Sequence, residues 1–307
     1  MIIASLTPGM PHIKTIIKHT DIDQLRFNTF LPISVRKEKL IRSLKKMCGK
    51  KTLWIDLKTR QLRVVNADMY PYPRLKINRT ISVELPTKVF FKDSQANVIN
   101  IEGNDTLILS NRPHVLIESG EQINITDPSL QVNGYLTEND REYISAAKKY
   151  DIHSYMLSFV EHEDDIRELI EEDPQATIIA KIESRRGLDF VKKSFPVTFQ
   201  RIHLMAARND LFIHMEGNKT EILTALRIII KKDPDAIAAS GIFYSLEKEH
   251  HVSMTDLSDL LLLKILGYKN FLLSEKLCNR KEAFKQAMKL WRAFLAQVKK
   301  HEESLTE

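Results

Sequence analysis

Residues 154–190 read SYMLSFVEHEDDIRELIEEDPQATIIAKIESRRGLDF. Two short apolar runs, SYMLSFV and TIIAKIE, are each followed by a stretch with apolar residues at helical spacing. Such alternation implies parallel strands joined by helical crossovers. The same unit continues downstream in IHLMAAR, AIAAS and NFLLS, separated by KTEILTALRIIIKK and MTDLSDLLLLKILG. Upstream lie IIASL, QLRFN and TLWIDL, the last preceded by a basic helical stretch from Val35 to Lys50. Eight strand candidates in succession predict a closed (β/α)8 TIM barrel rather than an open sheet. A final helix, Lys281 to Lys300, completes the outer ring.

One stretch breaks the rhythm. From Val64 to Gly134 there is no long amphipathic pattern, only the short alternating runs ISVEL, KVFFK, NVINI, TLILS, HVLIE and QINIT, punctuated by Gly, Asn, Asp and Pro. That pattern predicts antiparallel β-structure. The expected organisation is a barrel from residues 1–63 plus 135–307, with a small all-β insertion, 64–134, after strand three. What remains without the insertion is close to the roughly 250 residues of a bare barrel. The other reading of 64–134 is a long excursion with no core of its own.

The composition restricts the function classes. Basic residues number 46 and acidic 40, interspersed rather than blocked, so the net charge of +6 does not argue for a nucleic-acid partner. A positive field does suit an enzyme for an anionic substrate. The two cysteines, Cys48 and Cys278, form no Cys-x-x-Cys pair, which fits a reducing compartment and argues against a structural zinc. The opening MIIASLTPGM has no basic region before its short apolar run, and the longest apolar run, Leu260 to Leu263, cannot span a bilayer. A cytoplasmic protein with no membrane partner is expected. The patterns LSDLLLLKIL and AFKQAMKLWRAFLAQV suit either packing on the barrel or contact in a homo-oligomer.

Barrel active sites lie at the C-terminal ends of the strands. Glu183 ends strand five and Asp210 follows strand six. Carboxylates from neighbouring strand ends suit a hard divalent cation, although read alone, without the motifs around them, they are better taken as two solvated surface acids. Lys181 lies two residues before Glu183, so both point to one face of the strand. Arg26 and Asn28 share a face for the same reason, and Arg26 and Arg63 are placed at the ends of strands two and three. An arginine there neutralises a phosphate or a carboxylate, or sits in a rim salt bridge.

Seven segments carry a resemblance. AKIESRRGLDF, MAARNDL, GYLTENDREYI, SFVEHEDDIREL, IIASLTPGM, LRFNTF and IDLKTRQLR stand in the order, and at the strand ends, of the corresponding motifs of the pyruvate kinase family. The chain resembles that family's catalytic barrel, with a reduced inserted domain and nothing matching the carboxy-terminal domain. The resemblance implies phosphoryl transfer between phosphoenolpyruvate or pyruvate and a nucleotide, ATP or ADP. Glu183 and Asp210 would hold Mg²⁺ or Mn²⁺. Lys181 would stabilise the transferring phosphoryl group or the enolate oxygen. Ser240, where the family has threonine, would lie near the proton-donating face. Ala207, Arg208 and Asn209 would offer backbone N–H groups to the substrate carboxylate. Arg26, Asn28, Asp56, Arg63, Ser158 and Phe159 would surround the small anionic substrate.

The departures fall mostly on one side. Phe30 replaces the potassium-site serine, Leu31 the adjacent nucleotide-contacting histidine, Leu57 a threonine and Gln61 a glutamate that goes with potassium dependence. The glycine-rich segment after strand eight has become LLSEKLCN. This puts potassium in doubt and weakens the nucleotide side, while the keto-acid and divalent-metal side is retained. Two alternatives therefore stay open: a metal-dependent pyruvate-enolate lyase or aldolase, and a degenerate regulatory protein that binds a keto acid.

Overall fold

The computed structural model describes residues 1–30, 35–70, 72–91, 94–195, 201–249 and 251–304. Leu31, named above, lies outside them. The strands in chain order are β1 (Ile2–Leu6), β2 (Gln24–Asn28), β3 (Thr52–Leu57), β4 (Val64–Asp68), β5 (Arg74–Ile77), β6 (Ile81–Ser82), β7 (Thr87–Phe90), β8 (Gln95–Glu102), β9 (Thr106–Leu109), β10 (Gln131–Val132), β11 (Ser154–Leu157), β12 (Thr177–Ile182), β13 (Ile202–Ala207), β14 (Ile237–Ala239) and β15 (Asn270–Leu273). Strands β1, β2, β3, β11, β12, β13, β14 and β15 close into a parallel barrel, each pairing with the next and β15 with β1. All eight lie within the predicted apolar runs.

Strand periodicity sets what faces inward. Ile3, Trp54, Met156, Ile179, Met205, Ile237, Ala239 and Leu272 form an apolar plug inside the barrel. Two residues further along, the same faces carry Ser5 on β1, Asp56 on β3 and Lys181 on β12. A charged layer therefore stands on an apolar floor. The outward residues form the larger core between the strands and the surrounding helices, with Leu25, Ile55, Tyr155, Ile178 and Leu204 fully buried. The last helix, Lys281–Ser304, buries Phe284, Ala287, Met288 and Trp291 against the barrel. The helix Met254–Leu266 buries Leu260 and Leu263 but leaves Met254, Leu257, Leu261 and Ile265 exposed.

The insertion has a core of its own. Strands β4, β5, β9, β8 and β7, in that order, make an antiparallel sheet, and β6 pairs with β10. Leu75, Val89, Val98, Leu107 and Ile123 are buried together, separately from the barrel core. Two expected runs differ. HVLIE forms no strand, and Leu116 within it is largely exposed. QINIT makes only isolated bridges: Gln122 to Arg63, next to β4, and Asn124 to Phe90 of β7. These are the two edges of the sheet, so the segment spans both rather than extending one. Arg63 also departs from expectation. Strand β3 stops at Leu57, and Arg63 lies past a turn in the link to β4. That turn is fixed by Asp140, fully buried, whose carboxylate accepts from the Lys58 and Thr59 N–H groups at 3.0 Å each.

Candidate active site

The centre of the barrel mouth is Asp56. Its carboxylate is fully buried and meets three cations. Arg26 Nε donates to Oδ2 at 2.8 Å, with a second, shorter contact from Nη2. Lys58 Nζ donates to Oδ2 at 2.9 Å. Lys181 Nζ lies 2.9 Å from Oδ1, close as an ion pair though bent as a hydrogen bond. Burial alone would raise the Asp56 pKa, but Arg26, Lys181 and Lys58 hold it well below the usual carboxylate range. Burial, with Lys181 and Arg26 beside it, drops the Lys58 ammonium to about 7 against the pull of Asp56. Lys181 goes the other way: burial would lower it, but Asp56 and Glu183 raise it.

Glu183 and Asp210 stand on the far side of Lys181. The Glu183 Oε1 atom is 3.7 Å from Lys181 Nζ, and Oε2 accepts from the Phe159 N–H at 2.7 Å. Phe159 has a left-handed backbone, φ 48°, a strained conformation for a phenylalanine, and that conformation aims its N–H at the carboxylate. Strand end and helix start are locked together next to Glu183. Ser184 Oγ accepts from Gly187 N–H at 3.1 Å, and a Cβ at Gly187 would come within 2.6 Å of the Val160 carbonyl oxygen. This explains the glycine of ESRRG. Burial pushes Glu183 up to about 7, opposed by Lys181 and reinforced by Asp210. Burial raises Asp210 too. A buried pair of carboxylates, both raised by burial, with hard oxygen donors and a lysine beside it, fits a divalent cation. Among the described residues no group of three His, Cys, Asp or Glu could hold a metal. Two protein carboxylates suit Mg²⁺ or Mn²⁺ sites in which water and substrate supply the remaining oxygens.

The structure brings Arg26, Asp56, Lys181, Glu183 and Asp210 into one electrostatic cluster, and Arg63 feels all four acids around it, Asp56, Asp210, Glu275 and Glu183. Burial nevertheless lowers Arg63 to about 10. Its guanidinium donates to Gln61 Oε1 at 2.6 and 2.9 Å and to the Gly120 carbonyl at 2.7 Å, under the Phe30 ring at 3.7 Å. Other expected residues are occupied with structure. Asn28 Oδ1 accepts from the Phe30 N–H at 3.2 Å, and Ser158 Oγ donates to the Leu57 carbonyl at 2.9 Å. The Arg208 side chain turns outward to Asp259, at 2.5 and 2.8 Å, and its Nε donates to the Ser240 carbonyl at 3.0 Å. Ser240 is left-handed, φ 68°. Ala207 ends β13 and Asn209 lies in the first turn of the following helix, Arg208–Ile213, where N–H groups lack intrahelical acceptors.

Four residues of the site were not singled out from the sequence. Lys58 shares a strand face with Asp56, a spacing that was there to be read. Glu275, 3.3 Å from Arg26, comes from the segment after β15. Gln122 and Asn124 reach across from the insertion and donate to Asp210 Oδ1 at 2.6 and 3.2 Å. No local pattern links residues 122 and 210. The insertion also touches the barrel through Thr126 and Lys88, both 2.9 Å from Glu216, and a cleft of about 1020 Å³ lies between the two.

The family model of the pyruvate kinase barrel domain matches residues 36–261, well over half of the chain. The pyruvate kinase of Borreliella burgdorferi is 23% identical over 94% of this chain, which spans 65% of that relative's length. The crystal structure of Cryptosporidium parvum pyruvate kinase superposes with a TM-score of 0.71 at 18% identity, covering 94% of this chain and 68% of that one. The parallel eight-stranded barrel is thus the fold of that solved structure, and the chain belongs to the pyruvate kinase family.

Proposed function

We propose that the chain is a divalent-metal-dependent phosphotransferase acting on phosphoenolpyruvate or pyruvate and a nucleotide. The observation that carries this is the convergence of Arg26, Lys58 and Lys181 on Asp56, next to the buried pair Glu183 and Asp210. Four cations, Arg26, Lys58, Arg63 and Lys181, balance four carboxylates, Asp56, Glu183, Asp210 and Glu275. A divalent cation would leave a surplus of two positive charges, which suits a small dianionic substrate. Glu183 and Asp210 would hold Mg²⁺ or Mn²⁺, which as a Lewis acid polarises the oxygens of the 2-oxo acid. Lys181, held by Asp56, presents its ammonium to the oxygen on which charge develops. Arg26 is oriented by Asp56 and Ser5 to face the anion. The first-turn N–H groups after Ala207 would take the substrate carboxylate, and Ser240 would sit near the proton-donating face. Potassium has little place here, since Asp56 already carries three cations.

One observation favours the second reading, enolate chemistry without a nucleotide. The Phe30 ring covers Arg63 and lies against Gly120, so close that a Cβ there would come within 2.5 Å of it. It fills the side on which the family resemblance puts nucleotide and potassium contacts. Among the described residues no helix is long and apolar enough to cross a membrane. The test is calorimetric binding of phosphoenolpyruvate, oxalate and ADP, each with and without Mg²⁺. Mg²⁺-dependent binding of all three supports phosphoryl transfer. Oxalate binding without ADP binding supports a lyase or a keto-acid sensor. Binding of none of them removes the proposal.

A further inference from the structure

We infer that Asn124, carried by the insertion, is an oxygen ligand of the divalent cation held by Glu183 and Asp210, so that the cation ties the insertion to the barrel. The inference rests on the cation reading above and adds to it a third protein donor from outside the barrel.

Three observations point to it. Asn124 is 5% exposed, and its Oδ1 is buried without a hydrogen-bond partner, although its Nδ2 donates to Asp210 Oδ1 at 3.2 Å. A buried amide oxygen with no donor is an uncommon feature that asks for a missing partner, an ion included. The backbone of Asn124 is fixed from both directions by Phe90, at 2.7 and 2.9 Å, so the side chain is aimed from a held edge of the sheet and not from a free loop. Finally, Gln122 and Asn124 now place N–H donors on the carboxylate where a cation would sit. A bound cation repels those donors and attracts a carbonyl oxygen. A half-turn of the Asn124 amide exchanges oxygen and nitrogen: the oxygen breaks no hydrogen bond in moving, the nitrogen gives up only its 3.2 Å contact to Asp210, and the oxygen then faces the cation. Carbonyl oxygens are ordinary ligands of hard cations. Gln122 differs, since it is only half-buried and its amide oxygen is not an orphaned one, so its donor merely competes with the cation for Asp210.

The experiment is Mn²⁺ binding to the full chain, followed by paramagnetic resonance of free Mn²⁺, with no substrate present. Glu183→Gln serves as the control for the cation site itself and should lose binding. Asn124→Ala should weaken Mn²⁺ roughly tenfold or more, the scale on which a supporting ligand group acts. Asn124→Asp, which keeps the shape and adds a charge, should restore or tighten it. Gln122→Ala should bind at least as tightly as the wild type. Wild-type affinity in Asn124→Ala would overturn the inference. So would equal weakening by Gln122→Ala and Asn124→Ala with no rescue by Asn124→Asp, because both residues would then merely hold the insertion in place. A wild type that binds no Mn²⁺, or a Glu183→Gln variant that binds it normally, would overturn the cation reading itself and this inference with it.

Discussion

The barrel mouth and the insertion hold their polar groups in opposite ways. Asp56 is fully buried, sits on an apolar floor and is met by three cations, from the neighbouring strand β2, from β12 beyond β11, and from the end of its own strand. The insertion reaches the same site through two amides on Asp210 and two contacts to Glu216, of which Lys88 is about half exposed. Exposed ion pairs contribute little, typically below about 1 kcal/mol. Buried pairs are strongly interdependent, because removing one partner strands the other without water. We therefore expect the barrel to hold its charged cluster fixed and the insertion to be the part that moves; a cover of that kind would exclude water when closed.

The sharpest way to break this contrast is Asp56→Ala. It leaves Arg26, Lys58 and Lys181 with no common counter-charge, and a loss of about 3–5 kcal/mol of stability is expected. Equilibrium denaturation measures it; an unchanged midpoint would mean that the three cations already reach water. Next in size is Lys181→Met. Its ammonium should matter more as charge develops than in the ground state, so Mg²⁺ and oxalate binding should persist while turnover falls roughly a hundredfold or more. Equal loss of binding and turnover would make Lys181 a structural partner of Asp56 alone.

On the insertion side, replacing residues 64–134 with a short Gly/Ser linker should leave a folded barrel with one cooperative melt. The two cores are separate, and the lost contacts to Glu216 should move Tm by on the order of 5 °C or less. Collapse of the whole transition would show that the insertion is part of the barrel's core.

The smallest effect lies at the opposite end of the barrel, where His203 on β13 pairs with Asp233. The Asp233 carboxylate, 3.6 Å from the imidazole Nδ1, raises the His203 pKa despite partial burial. A raised histidine pKa stabilises fully below the unfolded value near 6.5 and loses that contribution as pH rises through the folded value. Relative to His203→Gln, the wild type should thus lose a few tenths of a kcal/mol of stability from pH 6 to 8, since the imidazole is 39% exposed and the pair is screened. Parallel pH profiles of the two proteins would show that the pair contributes nothing.

Repeated βα alternation made the barrel legible, because a hydrophobic period is local and each strand announces its own inward face. The same period placed Lys181 with Glu183 and Arg26 with Asn28, and it could have placed Lys58 with Asp56. The motifs around these residues were enough to indicate the family. What the sequence could not show is any pairing that depends on how distant segments close in space. Glu275 meets Arg26 only because β15 returns beside β1. Arg63 passes beneath Phe30 only because the chain turns at Thr59 before β4 begins. Gln122 and Asn124 find Asp210, 88 and 86 residues away, only because their segment lies across both edges of the inserted sheet. Local periodicity decides which face a side chain takes; which partner it meets there is decided by the packing of whole elements, which no short window of sequence contains.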